Sequence, residues 1–225
     1  MHDFASIKTR IIGSKNGTED SMATQALLII RLEHELTADM ETLRREGWSE
    51  PLDESSRDEF DQDSLHLTIG LSGRPVSMIR ATRGPLSPLL TWSNGRAPLP
   101  SDPSVAELTR GVVDPAMRRL GLYRLTMLET VLRLAALGIL VVTAAIKPEF
   151  PGRFFLAELG FLNLGTPVLF DDRPHRGTYA QCIRLDVTPD KQRKWFALWQ
   201  CHTTQLLQHT YLIDSDLPMS RTLNV

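Results

Sequence analysis

Apolar and polar positions along this chain follow two periods in turn, and the changes of period mark out its elements. From Thr24 to Arg45 the positions Leu27, Ile30, Leu32, Leu36, Met40 and Leu43 recur at mixed three- and four-residue spacing, which predicts a helix. Pro51 to Asp63 is acidic and polar and reads as loop. Leu65-His66-Leu67-Thr68-Ile69 alternates as a strand does; Gly70 to Gly73 supplies a turn and Pro75 to Ala81 a second strand, giving a hairpin. Five prolines and two glycines between Thr82 and Pro103 predict irregular structure. A loop that long in a compact domain carries function or moves.

Val105 to Val113 reads as a strand, and Asp114-Pro115 as a cap with proline at the first helical position, so a helix is expected at once. Its apolar residues run from Leu122 to Ala135, and Gly138 stops it. Ile139 to Ile146 has the β-branched and leucine content of a strand buried on both faces. Pro151 to Leu159 starts another helix, ended by Gly160, and strands follow around Val168 and from Tyr179 to Val187. Arg193 to Leu212, with Trp195, Phe196, Trp199 and Leu206, predicts a terminal helix packed by its aromatic side. Residues 1–22 are polar, without periodicity, and predict a partly mobile arm. Residues 23–225 then form one domain with a C-terminal helix at about 190–212. Alternating strands and helices predict an α/β or α+β architecture, a central sheet with helices on its faces.

Composition narrows the class. With 225 residues, 42% hydrophobic and 23% charged, the chain can bury one sizeable core. A net charge of -2 supplies no global basic field, so no nucleic-acid partner is expected. Two cysteines, Cys182 and Cys201, too far apart for a paired metal motif, suit a reducing cytoplasm. Met1-His2-Asp3-Phe4 opens no secretory signal. The apolar run Leu134 to Ile146 is shorter than the roughly 20 residues that a spanning helix needs, so a cytoplasmic protein without a membrane span is expected. The six histidines show no metal-ligand spacing, and no Gly-x-Ser-x-Gly turn points to a hydrolase.

Chemistry enters through ordered short motifs. Gly47-Trp48 is followed by Asp58-Glu59-Phe60-Asp61, then by Arg80 at a strand end, by Glu107-Leu108-Thr109-Arg110, and by Leu164-Gly165-Thr166-Pro167. In this order and spacing the motifs resemble the acyl-homoserine-lactone synthases, the autoinducer synthases of bacterial quorum sensing, over about Gly47 to Val187. Two positions depart from the family pattern, Ser56 for a glutamate and Gly111 for a phenylalanine. Without the pattern, Asp58 to Asp61 reads as solvated surface and Glu107 with Arg110 as a structural ion pair.

The resemblance implies the Gcn5-related N-acetyltransferase (GNAT) fold, a central mixed sheet flanked by helices on both faces in a single domain. It implies a reaction in which the amine of S-adenosylmethionine attacks an acyl thioester and the product lactonises, expelling methylthioadenosine. Glu107 would be the base, directly or through water, with Arg110 beside it. Asp58 and Asp61 would hold the cationic end of the substrate, and Arg80 or Arg110 its carboxylate. Trp48, Thr109, Thr143 and Arg31 complete the implied substrate site. Arg118, Arg119 and Gly121 lie in a turn that in acetyltransferases of this superfamily grips the pyrophosphate of coenzyme A at a helix N-terminus. Tyr123 stands there in place of a small residue, which leans toward an acyl-carrier-protein donor over acyl-CoA. No metal or resident cofactor is implied; S-adenosylmethionine and the thioester are substrates. Two alternatives stay open: an N-acyl amino acid synthase of the same fold, and a catalytically silent ligand-binding module.

Overall fold

A computed structural model describes residues 9–11, 26–47, 57–100, 102–170, 177–208 and 211–215. Of the arm expected over residues 1–22, only strand β1 (Thr9–Ile11) is described; the rest lies outside the described residues. The helix expected from Thr24 is corrected: Ala26–Glu33 is strand β2, and only Ala38–Gly47 is helical, as α1. In β2 every second residue turns inward, with Leu28 and Ile30 buried while Leu27 and Arg31 are exposed. Among so many apolar positions, the three- and four-residue spacings hid that period of two.

Strands β3 (Ser64–Leu71) and β4 (Arg74–Arg83) form the expected hairpin, turning on Ser72 and Gly73, both at positive φ. The proline-rich stretch contains a helix, α2 (Pro88–Trp92), where loop was expected. Ser87 caps it by accepting from the Leu90 N–H, and proline occupies its first turn. Strand β5 (Val105–Val113) ends at Asp114, but the long helix does not start there. Asp114 caps one short 3-10 turn, Pro115–Met117; Arg119 and Gly121 then take positive φ, and α3 runs Leu122–Ala136. Next come β6 (Val141–Ile146), α4 (Arg153–Leu159), β7 (Leu162–Asn163), β8 (Val168–Phe170) and β9 (Thr178–Asp186). Helix α5 (Pro189–Gln208) stops short of Leu212, which belongs instead to strand β10 (Tyr211–Ser215).

The mixed sheet has the order β1-β10-β2-β3-β4-β5-β6-β9-β7, with β8 on β9. Its two faces differ. Leu65, Leu67, Ile69, Ile79, Ala81, Leu108, Val142 and Leu185 join the cluster that Leu125, Leu128, Val131, Leu156, Trp195 and Trp199 complete from α3, α4 and α5. The indole N–H groups fix α5, Trp195 donating to Leu159 O at 2.8 Å and Trp199 to buried Glu129 at 2.6 Å. Registers place His66 opposite Arg80, Arg80 opposite Thr109, and Glu107 opposite Thr143 on the other face, a continuous polar row. α1 packs on that side, with Met40 and Leu43 against Met78 and Val112. Among the described residues, no helix is long and apolar enough to cross a membrane.

Candidate active site

The polar row is buried, so each of its charges must find a partner. Asp61, expected on a loop, opens a 3-10 turn (Asp61–Asp63) and is only 5% exposed. Its carboxylate accepts a two-pronged fork from Arg44 at 2.9 and 2.8 Å, a third bond from Arg80 at 3.0 Å, and the Asp58 N–H at 2.9 Å. Burial pushes Asp61 up, but the Arg44 fork and Arg80 outweigh it and hold its pKa at about 2. Asp58 bridges Arg80 and Arg110, the latter at 2.9 Å. Arg80 also donates from Nε to Thr109 Oγ1 at 2.9 Å, while its buried Nη2 has no partner among the described residues. Arg110 reaches Asp58 from a bulge: its φ is 56°, and the β4–β5 register slips beside it. Desolvation lowers the Arg110 pKa, while Asp58 favours its charged form.

Arg44 and His66 belong to this cluster although sequence reading missed both. Arg44 lies on the α1 stripe with Met40, Leu43 and Gly47; a cation on a buried stripe was the available signal. Arginine only donates, so His66 Nδ1, 3.4 Å from Arg44 Nη2, is the acceptor, and Nε2–H donates to Asp61 O at 3.1 Å. That neutral tautomer agrees with a pKa depressed to about 4, first by burial and then by the neighbouring arginines. Phe60 and Trp92 roof the cluster. The Arg80 guanidinium lies 5.8 Å from each ring centre, and that of Arg110 lies 5.6 Å from Trp92.

Glu107 does not pair with Arg110, which corrects the structural ion-pair reading. One oxygen accepts the Ser87 hydroxyl at 2.5 Å and the other the Leu89 N–H at 2.6 Å, both from α2. Burial raises the Glu107 pKa to about 7, against the lowering effects of Ser87, Leu89 and Arg80. Ser87 was missed because its stretch read as irregular, although Ser-Pro is a helix-start signal. Across the sheet, Thr143 is fully buried and its hydroxyl has no partner among the described residues. Cys182, on the neighbouring β9, has its thiol pKa pushed up to about 11 by burial and by Glu107. Arg31 stands exposed opposite Thr68 and takes no part in the cluster. Trp48 lies outside the described residues.

Beside this row β5 and β6 part. They pair only over Val105–Leu108 and Val141–Ala144, although β5 continues to Val113 and β6 to Ile146. A gap thus opens at the carboxyl ends of two parallel strands, where α/β sheets bind ligands. The turn before α3 flanks it. Gly121 has φ 81°, and a Cβ there would come within 2.5 Å of His202, whose Nε2 lies 2.9 Å from Gly121 O, so only glycine fits. Arg118 donates to Gly47 O at 2.6 Å, tying the turn to α1, and Arg119 is exposed. The Tyr123 ring packs edge-on to Phe150, 5.5 Å between centres. Where α4 meets the end of β6 and β9, a cavity of about 370 Å³ is lined mainly by apolar residues, among them Ile146, Leu156, Phe161 and Ile183.

A mixed sheet whose parallel pair splays beside a helix N-terminus is the GNAT fold, and comparison with solved structures agrees. The CoA-dependent acyl-homoserine lactone synthase BjaI, with SAM and isopentyl-CoA, is similar over 84% of this chain and 94% of its own, with a TM-score of 0.59 and 17% identity. The acyl-homoserine lactone synthase LasI is similar over 76% and 95%, with a TM-score of 0.57 and 15% identity. An acetyltransferase from Bacillus subtilis in complex with CoA is similar over 72% and 99%, with a TM-score of 0.51 and 12% identity. At these identities the likeness establishes the fold. No protein-family model matches the sequence, and no curated protein matches it either.

Proposed function

We propose that this protein is an acyltransferase of the acyl-homoserine-lactone synthase type, which transfers an acyl group from a thioester to the amine of S-adenosylmethionine and then closes the lactone. The observation that carries this reading is a buried cation with a donor to spare: Arg80, held by Asp58, Asp61 and Thr109, keeps Nη2 without a partner among the described residues. An amino-acid carboxylate would accept from it. The roles once divided between the acids and the arginines therefore change: the aspartates set the arginines, and the arginines receive the carboxylate.

Glu107 is the base. With its pKa raised to about 7 it exchanges a proton near neutral pH, and it can take the proton as the amine attacks the thioester carbon. Once protonated it adds no negative charge, so the field of Arg80 is available to the oxyanion of the tetrahedral intermediate. Collapse expels the donor thiol. The substrate carboxylate then attacks the carbon bound to sulfur and displaces methylthioadenosine. The apolar cavity between α4, β6 and β9 would take the acyl chain, and the Thr143 hydroxyl, opposite Glu107 on β6, would offer a polar contact. Similarity of fold to a synthase whose structure holds SAM and isopentyl-CoA supports the same reading.

For the donor, we hold to a carrier-protein thioester. Tyr123 replaces the small residue of the turn that would grip a pyrophosphate, whereas phosphopantetheine carries a single phosphate. Exposed Arg119, with Arg118 beside it, would attract an acidic carrier. Thiol release from an acyl thioester should require S-adenosylmethionine, with higher kcat/KM for the carrier thioester than for the matching CoA thioester. Added salt should slow the carrier reaction more. Thiol release independent of S-adenosylmethionine would refute the transfer; equal salt sensitivity or a CoA preference would refute the donor assignment.

A further inference from the structure

The short helix α2 sits over the site, yet nothing in the acyl-transfer reading requires it to touch Glu107. It touches it twice. Gly84 anchors the segment leading to it, donating to Val105 O at 3.0 Å, and approaches Asp102 so closely that a Cβ on Gly84 would lie 2.1 Å from Asp102 O. The segment then turns into α2 with Ser87 buried at its cap. The same Ser87 oxygen accepts the Leu90 N–H at 3.2 Å, so its own hydrogen is directed to Glu107, 2.5 Å away. Leu89 N–H takes the other carboxylate oxygen at 2.6 Å. One turn on, Trp92 covers the Arg80 and Arg110 guanidinium groups.

We propose that Ser87 is a positioning residue for the proton transfer: its hydroxyl, fixed by the α2 cap, holds the Glu107 carboxylate in place and favours its ionised, proton-accepting form. The inference rests on Glu107 being the base. The groups that face Glu107 are Arg80 from β4, Ser87 and Leu89 from α2, Thr143 from β6 and Cys182 from β9. Arg80 favours the charged carboxylate by its field, Thr143 offers only a hydroxyl, and Cys182 remains a neutral thiol. Ser87 and Leu89 donate hydrogen bonds to the charged form, and of these two only Ser87 can be altered by substitution without altering the backbone.

Losing a hydrogen bond to a carboxylate weakens the charged form by about a factor of ten. In Ser87→Ala, pH-difference infrared spectra should therefore show the carboxylic C=O band of Glu107 titrating about one pH unit higher than in the wild type. Glu107→Gln identifies that band by abolishing it. Thiol release should fall about tenfold on the acid side and recover as pH rises, with donor KM nearly unchanged. Ser87→Thr should restore both, and Ser87→Cys, of similar size but a weak donor, should behave like alanine even if the alanine variant folds poorly. If the wild-type band titrates near neutral pH but Ser87→Ala and Ser87→Cys leave it unmoved, the positioning role is overturned. If the wild type shows no such band and Glu107→Gln keeps its kcat, the base assignment itself fails.

Discussion

Replacing Glu107 by Gln is expected to lower kcat by about a hundredfold or more, the scale of general base catalysis, while leaving substrate binding nearly intact. Glutamine keeps the shape, accepts the Leu89 N–H and can donate to Ser87 Oγ, so only the proton-accepting oxygen is lost. Stability should move the other way. The folded protein raises the Glu107 pKa from its ordinary 4.5 to about 7, so it binds this proton more tightly than the unfolded chain does. Stability tied to Glu107 is therefore full below 4.5 and declines as pH rises through about 7. At pH 8 the wild type carries a desolvated carboxylate that the glutamine variant lacks. The variant's Tm should be equal or higher by several degrees there, with the difference shrinking in acid. A fall in both Tm and kcat would make Glu107 a structural residue.

The largest loss of stability is expected from Asp61→Asn. The substitution leaves Arg44, 1% exposed, and Arg80, fully buried, facing a neutral amide, and breaking one partner of a buried ion pair costs about 3–5 kcal/mol. For a domain of this size that corresponds to a Tm lower by roughly 10 °C. The pH dependence separates this cause from a simple packing defect. Asp61 titrates at about 2 in the folded protein against an ordinary 3.8, so its contribution is present above 3.8 and is lost as pH falls toward 2. Calorimetric scans should show wild type and variant far apart at pH 7 and drawing together in acid. A constant difference across that range would contradict an ionic origin.

Strand β5, the Leu65 to Ala81 hairpin and the α4 helix were legible because their period and their stops agreed. β2 was not, since a run of eight mostly apolar residues satisfies either period and its partner β3 decided the outcome. The start of α3 was misplaced because Asp114-Pro115 does cap a turn, but a 3-10 turn, and positive φ at Arg119 and Gly121 is a tertiary choice. At the site, Asp58, Asp61, Arg80, Thr109 and Arg110 were found by motif and are brought together in space. Their pairings were not readable: Asp61 lies in an acidic stretch that resembles surface, and its principal partner, Arg44, comes from a helix 17 residues upstream. Ser87 was hidden by prolines that suggest irregular structure when counted and a helix start when placed.

The measurement that bears most directly on the account is mass spectrometry of the products formed by the purified protein from S-adenosylmethionine and an acyl-carrier-protein or CoA thioester. The account predicts an acylated homoserine lactone and methylthioadenosine in equal amounts, both depending on Glu107. Acylated methionine or another acylated amino acid, with S-adenosylmethionine left unchanged, would contradict it.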